Sequence, residues 1–243
     1  MQNIKISLVI PAYNEAKTIK ETVENALGYL EGAFSDYELI ICDDGSRDRT
    51  RKICEEIDNP HLFVIGHSRN RGKGSAVRQG VSVASGDVLV YTDADLAYGL
   101  EAIGQITEKL VSENTDMAIG SRRLHPDGYA NYPAIRLLAS RCFGFITGIL
   151  AGFQYDTQCG LKVLRCEAAK LAFECCECDG FAFDFELMMV CKALKYSVAQ
   201  FPVKVVNHRE SKVSVISDSL KMFADVVKIR AGVWKRMRGH RAD

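Results

Sequence analysis

Between residues 4 and about 122 the chain alternates short apolar runs with stretches of helical period, and nearly every apolar run ends in a cluster of turn-forming polar residues. Ile4–Ile10, bounded by Pro11 and Asn14, predicts a buried strand. Glu15–Leu30 follows with Ile19, Val23, Ala26, Leu27 and Leu30 at helical spacing. Strands are expected at Tyr37–Cys42, Leu62–His67 and Asp87–Thr92, with helices over about Asp48–Ile57 and Lys73–Ala84 between them. Strict alternation of this kind builds an α/β fold, a mostly parallel sheet with helices on both faces. Its ligand crevice lies outside the carboxyl ends of the strands. The polar clusters fall on that rim: Pro11–Glu15 after strand one, Asp43–Ser46 after strand two, Asn70–Gly74 after strand three, and Asp93–Asp95 after strand four. Four clusters on one rim point to one ligand site.

Beyond residue 122 the alternation weakens. Tyr132–Phe153 reads as a strongly apolar helix, and Cys142–Phe153 carries no charge. Leu161–Leu164 is a short strand, Glu167–Phe173 and Asp184–Leu194 are helices, and Gln200–Val206 is a strand placed at an edge by Pro202. Ser217–Arg238 is a last helix with a basic end. With no repeat and no linker, the 243 residues read as one domain: a nucleotide-binding half (1–122), an acceptor-binding half (123–215) and a basic amphipathic tail (216–243).

Each motif has its own chemistry. Asp93-Ala94-Asp95 at a strand end can offer two carboxylates to one hard cation, Mg²⁺ or Mn²⁺, of the kind that also binds substrate phosphates. Asp43 and Asp44 suit the hydroxyls or base of a nucleoside, or form a plain Asp-Gly turn. Arg69–Gly74 combines close backbone approach with cations at a helix start, which suits diphosphate. Neither a P-loop nor a dinucleotide fingerprint is present. Asp184 and Glu186 are candidate ligands for sugar hydroxyls or, for Asp184, a cap on the following helix.

Composition bounds the partners. Thirty-one Lys and Arg balance thirty-one Asp and Glu, so no global field marks a nucleic-acid binder. No cleavable leader and no spanning segment of about 20 apolar residues is read from the sequence. Nine cysteines without a leader suggest a reducing, cytoplasmic setting; Cys175, Cys176 and Cys178 lack the second pair that a zinc site needs.

In order, SLVIPAYNE, ICDDGSRDRT, NRGKGSAV, VYTDADL and IGSR resemble glycosyltransferase family 2, whose fold is GT-A. Further on, Arg136…Ser140, Asp156-Thr-Gln-Cys-Gly-Leu-Lys162, Phe183-Asp-Phe-Glu186 and Ser211-Lys-Val-Ser214 resemble the polyprenyl-phosphate members, most of all the dolichyl-phosphate β-glucosyltransferases. The resemblance implies metal-dependent, inverting transfer of a sugar from a nucleotide donor, glucose from UDP-glucose foremost, to a polyprenyl monophosphate. A glycan or protein acceptor, or mannose from GDP-mannose, is the alternative. It also implies roles. Pro11, Ala12, Tyr13, Glu15, Asp43, Asp44, Lys73 and Asp93-Ala94-Asp95 would hold the donor, with Asp95 the main metal ligand and Asp93 a second. Arg122, Arg136 and Ser140 would receive the acceptor phosphate, and Lys212 would close over the phosphates; Asp95, Arg122, Arg136 and Lys212 form the catalytic set. Asp156, Gln158, Asp184 and Glu186 would serve the sugar or the scaffold. Mannosyl relatives carry Gln as a metal contact where this chain has Ala97, so that contact is lost.

A phosphomonoester has a second pKa near ~6 and is largely ionised at neutral pH, so it can attack an anomeric carbon without a general base. A lipid acceptor also implies contact with the bilayer. From Val226 onward Asp243 is the single acid among many basic residues, a pattern suited to the anionic cytosolic leaflet. A second copy of the chain is left open as a partner.

Overall fold

The computed structural model describes residues 4–130, 137, 144, 145, 147–207 and the backbone of 217–239, with side chains in that last stretch described over 225–237. Arg136, Ser140 and Lys212, and most of the helix expected over Tyr132–Phe153, lie outside the described residues.

A seven-stranded sheet runs in the order β3-β2-β1-β4-β6-β5-β7. Its strands are β1 (Lys5–Ala12), β2 (Asp36–Asp43), β3 (Leu62–Gly66), β4 (Val88–Tyr91), β5 (Met117–Ser121), β6 (Lys162–Arg165) and β7 (Val198–Pro202). All pairings are parallel except those of β6, which runs antiparallel to both β4 and β5. The expected mostly parallel sheet is therefore what the chain forms. β7 lies at the edge, where Pro202 removes no ladder hydrogen bond from an interior pair.

Alternating side chains on β1 divide the core. Ile6, Leu8 and Ile10 face α1 (Ile19–Ala33) and α4 (Glu101–Ser112), with Val23, Leu27, Ile103 and Ile106 in the same layer. Val9 faces the other layer, with Val77 of α3 (Lys73–Val83), Phe173 of α5 (Cys166–Glu174), Phe185 of α6 (Phe183–Ala193) and Val233 of α7 (Ser217–Gly239). A sheet covered on both sides explains why its strands read as unbroken apolar runs.

Strand one runs two residues past the expected end at Ile10 and takes in Pro11. The Thr92 N–H donates to the Val9 carbonyl, so Val9 and Pro11 both address the β4 side. There the pairing stops at Val9–Tyr91, and the missing Pro11 N–H costs no ladder bond. The first helix begins at Ile19, not Glu15, because residues 15–18 form a turn in which Thr18 and Ile19 both donate to the Glu15 carbonyl. The second, α2, is confined to Thr50–Glu55, shorter than Asp48–Ile57, because Asp48 turns its carboxylate onto Thr50 at the helix start.

Candidate active site

Three of the four polar loops interlock through side-chain-to-backbone bonds. The Asp44 N–H donates to the Ala12 carbonyl (2.8 Å), joining the ends of β1 and β2. Asn14 N–H donates to Ser46 Oγ (2.9 Å), and Arg47 N–H returns a bond to Asn14 Oδ1 (2.8 Å). Glu15 N–H donates to Thr50 Oγ1 (2.7 Å). Asn14 holds a left-handed φ of 53°, a conformation Asn adopts at low cost. Pro11, Ala12, Tyr13 and Glu15 are thereby set beside Asp43 and Asp44.

The two acids of the second loop turn inward. Asp43 is buried and accepts from Ser46 N–H (3.2 Å). Asp44 is buried and accepts from Arg71 N–H and Gly72 N–H, each at 2.8 Å, fixing the third loop to the second. Gly72 stands at φ 112°, and a Cβ there would overlap the Asp179 carbonyl. Only glycine fits that turn.

At the start of α3, Lys73 reaches across the rim to the fourth loop, its Nζ 2.5 Å from Asp93 Oδ1. Burial opposes the Lys73 charge, but Asp93, Asp184 and Asp95 outweigh it and push the pKa up, so the ammonium persists through neutral pH. Asp95 caps its own turn, Oδ1 accepting from Ala97 N–H (3.1 Å). The opposite side of Asp93 packs on Gly160, where a Cβ would overlap the carboxylate.

Two carboxylates and no nitrogen or sulfur ligand make this turn a hard-oxygen donor set. Among the described residues no three His, Cys, Asp or Glu side chains gather into a cage. A site with two protein oxygens, completed by phosphate and water, fits Mg²⁺ or Mn²⁺.

The acceptor-half candidates form buried pairs. Arg122, in the 3-10 turn Arg122–Leu124 after β5, donates from Nε and Nη2 to the two Asp156 oxygens (2.8 and 2.7 Å), while its N–H also reaches Asp156 Oδ2 (3.0 Å). Burial opposes the Asp156 charge, yet Arg122 holds the carboxyl below its ordinary range. Arg122 keeps its charge although buried, with Asp156 countering desolvation. Asp184 lies inside α6, whose cap residue is Ala182, so the capping expectation gives way to a buried pairing with Lys162 Nζ and a hydrogen bond from Tyr91 Oη (2.8 Å). Glu186 is buried as well: it accepts from Glu177 N–H (2.9 Å), Cys178 N–H (2.6 Å) and Arg236 Nη2 (2.5 Å).

Beside Arg122 opens a cavity of about 1120 Å³. Arg123, His125, Tyr129, Gln158 and the apolar Leu124, Phe145 and Ile149 line it along with Arg122 and Asp156. Arg123 and His125 stand outside the motifs singled out in the sequence, and Lys162, part of the Asp156–Lys162 motif, has no role assigned there. The basic run Arg122-Arg123 and the lysine closing Asp156–Lys162 were the available signals.

The description Glycosyl transferase family 2 matches residues 7–171. Dolichyl-phosphate beta-glucosyltransferases are similar along nearly the whole chain: 32% identity to that of Mus musculus, covering 98% of this chain and 80% of the relative, and 32% to that of Homo sapiens, covering 95% and 78%. Glucosyl-3-phosphoglycerate synthase from Mycobacterium tuberculosis, crystallised with Mn²⁺, UDP-glucose and phosphoglyceric acid, superposes with a TM-score of 0.70 at 19% identity, over 94% of this chain and 80% of that one. Mannosyl-3-phosphoglycerate synthase from Rubrobacter xylanophilus gives 0.69 at 22% identity, over 99% and 76%. These superpositions match the GT-A fold expected from the motifs. A rim of interlocked loops, two carboxylates on its fourth turn and the matching family description lead to one conclusion: the chain belongs to glycosyltransferase family 2.

Proposed function

We propose that this glycosyltransferase moves glucose from UDP-glucose to a dolichyl or related polyprenyl monophosphate, with inversion at the anomeric carbon. One juxtaposition carries the reading: the Lys73–Asp93 rim stands on one side of the segment 156–160, and a cavity walled by Arg122, Arg123 and His125 on the other. Leu124, Phe145 and Ile149, 52%, 70% and 64% exposed, give that cavity an apolar border suited to a lipid chain. The names of the relatives support glucose and dolichyl phosphate.

The donor would lie along Pro11, Ala12, Tyr13 and Glu15, with Asp43 and Asp44 shaping the loops against the nucleoside. Asp93 and Asp95 would hold a divalent cation, whose contribution when bound is Lewis-acid stabilisation of the departing diphosphate. Lys73, paired with Asp93, adds a positive charge at the same place. Arg122, with Arg136 and Ser140, would receive the acceptor phosphate, and Lys212 would close over the diphosphate. Asp156 is already engaged by Arg122 through both oxygens, which disfavours it as a general base. An ionised phosphate nucleophile needs none. This favours the lipid phosphate over a glycan or protein hydroxyl, whose activation calls for a base.

No helix among the described residues is long and apolar enough to cross a membrane. Contact with the cytosolic leaflet would come through α7, which buries Val226, Ile229, Val233 and Met237 and exposes Val227 and Trp234 beside Lys228, Arg230 and Lys235. An exposed aromatic among cations suits an anionic interface.

The test is transfer of radiolabelled sugar to dolichyl phosphate from a panel of UDP- and GDP-sugars with Mn²⁺. The expected result is a lipid product from UDP-glucose, stable to alkali and cleaved by mild acid. Labelling from GDP-mannose alone, or labelling of glycans without lipid, overturns the reading.

A further inference from the structure

Lys162 is the one lysine buried completely among the described residues. It belongs to the Asp156–Lys162 segment, but it neither borders the cavity nor reaches the donor rim. Its Nζ donates to the Thr157 carbonyl (3.1 Å) and the Cys159 carbonyl (2.7 Å), pairs with Asp184, and lies 5.4 Å from the centre of the Tyr91 ring. Tyr91 Oη closes the cluster by donating to the same Asp184 oxygen (2.8 Å). An ammonium in the interior is costly, and replacing such a pair with apolar residues is often neutral or stabilising. A buried lysine is therefore poorly explained by stability alone, and its two carbonyl partners show where its bonds are spent.

Those carbonyls belong to a turn that separates the two halves of the site. Gly160 backs the Asp93 carboxylate so closely that a Cβ would overlap it. Gln158 stands in the cavity wall, its amide nitrogen buried and without a hydrogen-bond partner among the described residues. Asp156 holds Arg122 in a two-pronged pair. The five residues Asp156–Gly160 thus meet the metal-site acid, the cavity and the cavity's arginine, and Lys162 ties down the backbone between them through the Thr157 and Cys159 carbonyls.

The structure assigns to Lys162 the role of positioning residue for both halves of the site, acting through the 157–160 turn on Asp93 and on Gln158 without touching either substrate. The assignment rests on the donor and acceptor sites proposed above. It differs from a folding role in a measurable way, because the charge of Asp184 can be removed together with that of Lys162. In Lys162→Met the buried carboxylate loses its cation, and stability and activity fall together. In the double variant Lys162→Met/Asp184→Asn no charge is stranded, and the amide can still accept from Tyr91.

Three measurements on the full chain decide the matter: thermal unfolding, hydrogen exchange of the 157–160 amides, and steady-state transfer from UDP-glucose to dolichyl phosphate. The double variant is expected to regain most of the melting temperature lost by the single one. It should keep fast exchange at 157–160 and remain about 100-fold slow in kcat, the scale of a misplaced reacting group. Recovery of kcat along with stability, with wild-type exchange in the turn, overturns the assignment. Wild-type protein that transfers no glucose overturns the proposed function instead, and the exchange comparison still decides what Lys162 holds.

Discussion

The donor rim and the acceptor half solve the same problem, fixing polar groups at the edge of a sheet, by opposite means. On the rim, apart from the partly exposed Lys73–Asp93 pair, carboxylates and hydroxyls are spent on backbone N–H groups of adjoining loops: Asp44 on Arg71 and Gly72, Ser46 on Asn14, Thr50 on Glu15. In the acceptor half the fixing agents are buried ion pairs between distant elements: Arg122 with Asp156, Lys162 with Asp184, Arg236 with Glu186. A neutral N–H that loses its acceptor at a loop can turn to water. A buried ion that loses its partner has no such recourse. The first region should tolerate substitution in its fold while losing chemistry; the second should lose fold and chemistry together.

Asp156→Asn is the sharpest way to break that contrast. It removes the two-pronged carboxylate charge from the buried Arg122 guanidinium and is expected to cost about 3–5 kcal/mol of stability, read by urea unfolding. A cost below about 1 kcal/mol, the range of an exposed pair, would show that water reaches Arg122 and would erase the distinction. On the rim, Asp95→Asn is expected to leave the unfolding midpoint nearly unchanged while cutting glucose transfer roughly 10²–10³-fold, the scale of losing one transition-state stabiliser. A large loss of stability there would make Asp95 a structural residue.

Acid titration tests the Arg122–Asp156 pairing next. Asp156 has its pKa lowered, burial being overcome by Arg122, and Glu38 is lowered as Ser7, Ser85 and Lys5 offset burial. A depressed folded-state pKa contributes stability that is present above the unfolded value, about 4 for these carboxyls. It is lost as pH falls through the folded value. Unfolding free energy should therefore be flat from pH 7 to about 5 and decline below 4. Asp156→Asn should flatten that decline, and an unaltered acid limb in the variant would contradict the pairing. The smallest effect belongs to Arg51→Ala, which breaks the exposed i,i+4 pair with Glu55. About 0.3–0.5 kcal/mol is expected, and its near silence calibrates the other changes.

The same contrast explains what could be read from the residues in order. Each rim motif ends its own strand, so period and turn chemistry alone placed Pro11–Glu15, Asp43–Ser46, Asn70–Gly74 and Asp93–Asp95 on one side. The edge position of β7 followed from Pro202 for an equally local reason. The strand near residue 161 was legible, but its insertion between β4 and β5 and its antiparallel direction were not. Direction depends on partners more than forty residues away in the chain, which no local pattern encodes. Likewise nothing beside Asp184 distinguishes a cap, a sugar ligand and the partner of Lys162. That choice is made where Lys162 of β6 meets Asp184 of α6.

The central claim is that a phosphate oxygen displaces the nucleotide directly from the sugar, across the seam between these two regions. The anomeric configuration of the glucosyl phosphate lipid, read by NMR after reaction with UDP-α-glucose, tests it most directly. A β-linked product is predicted, since one displacement inverts the centre. An α-linked product would require a second displacement or a retaining path, and would contradict the account.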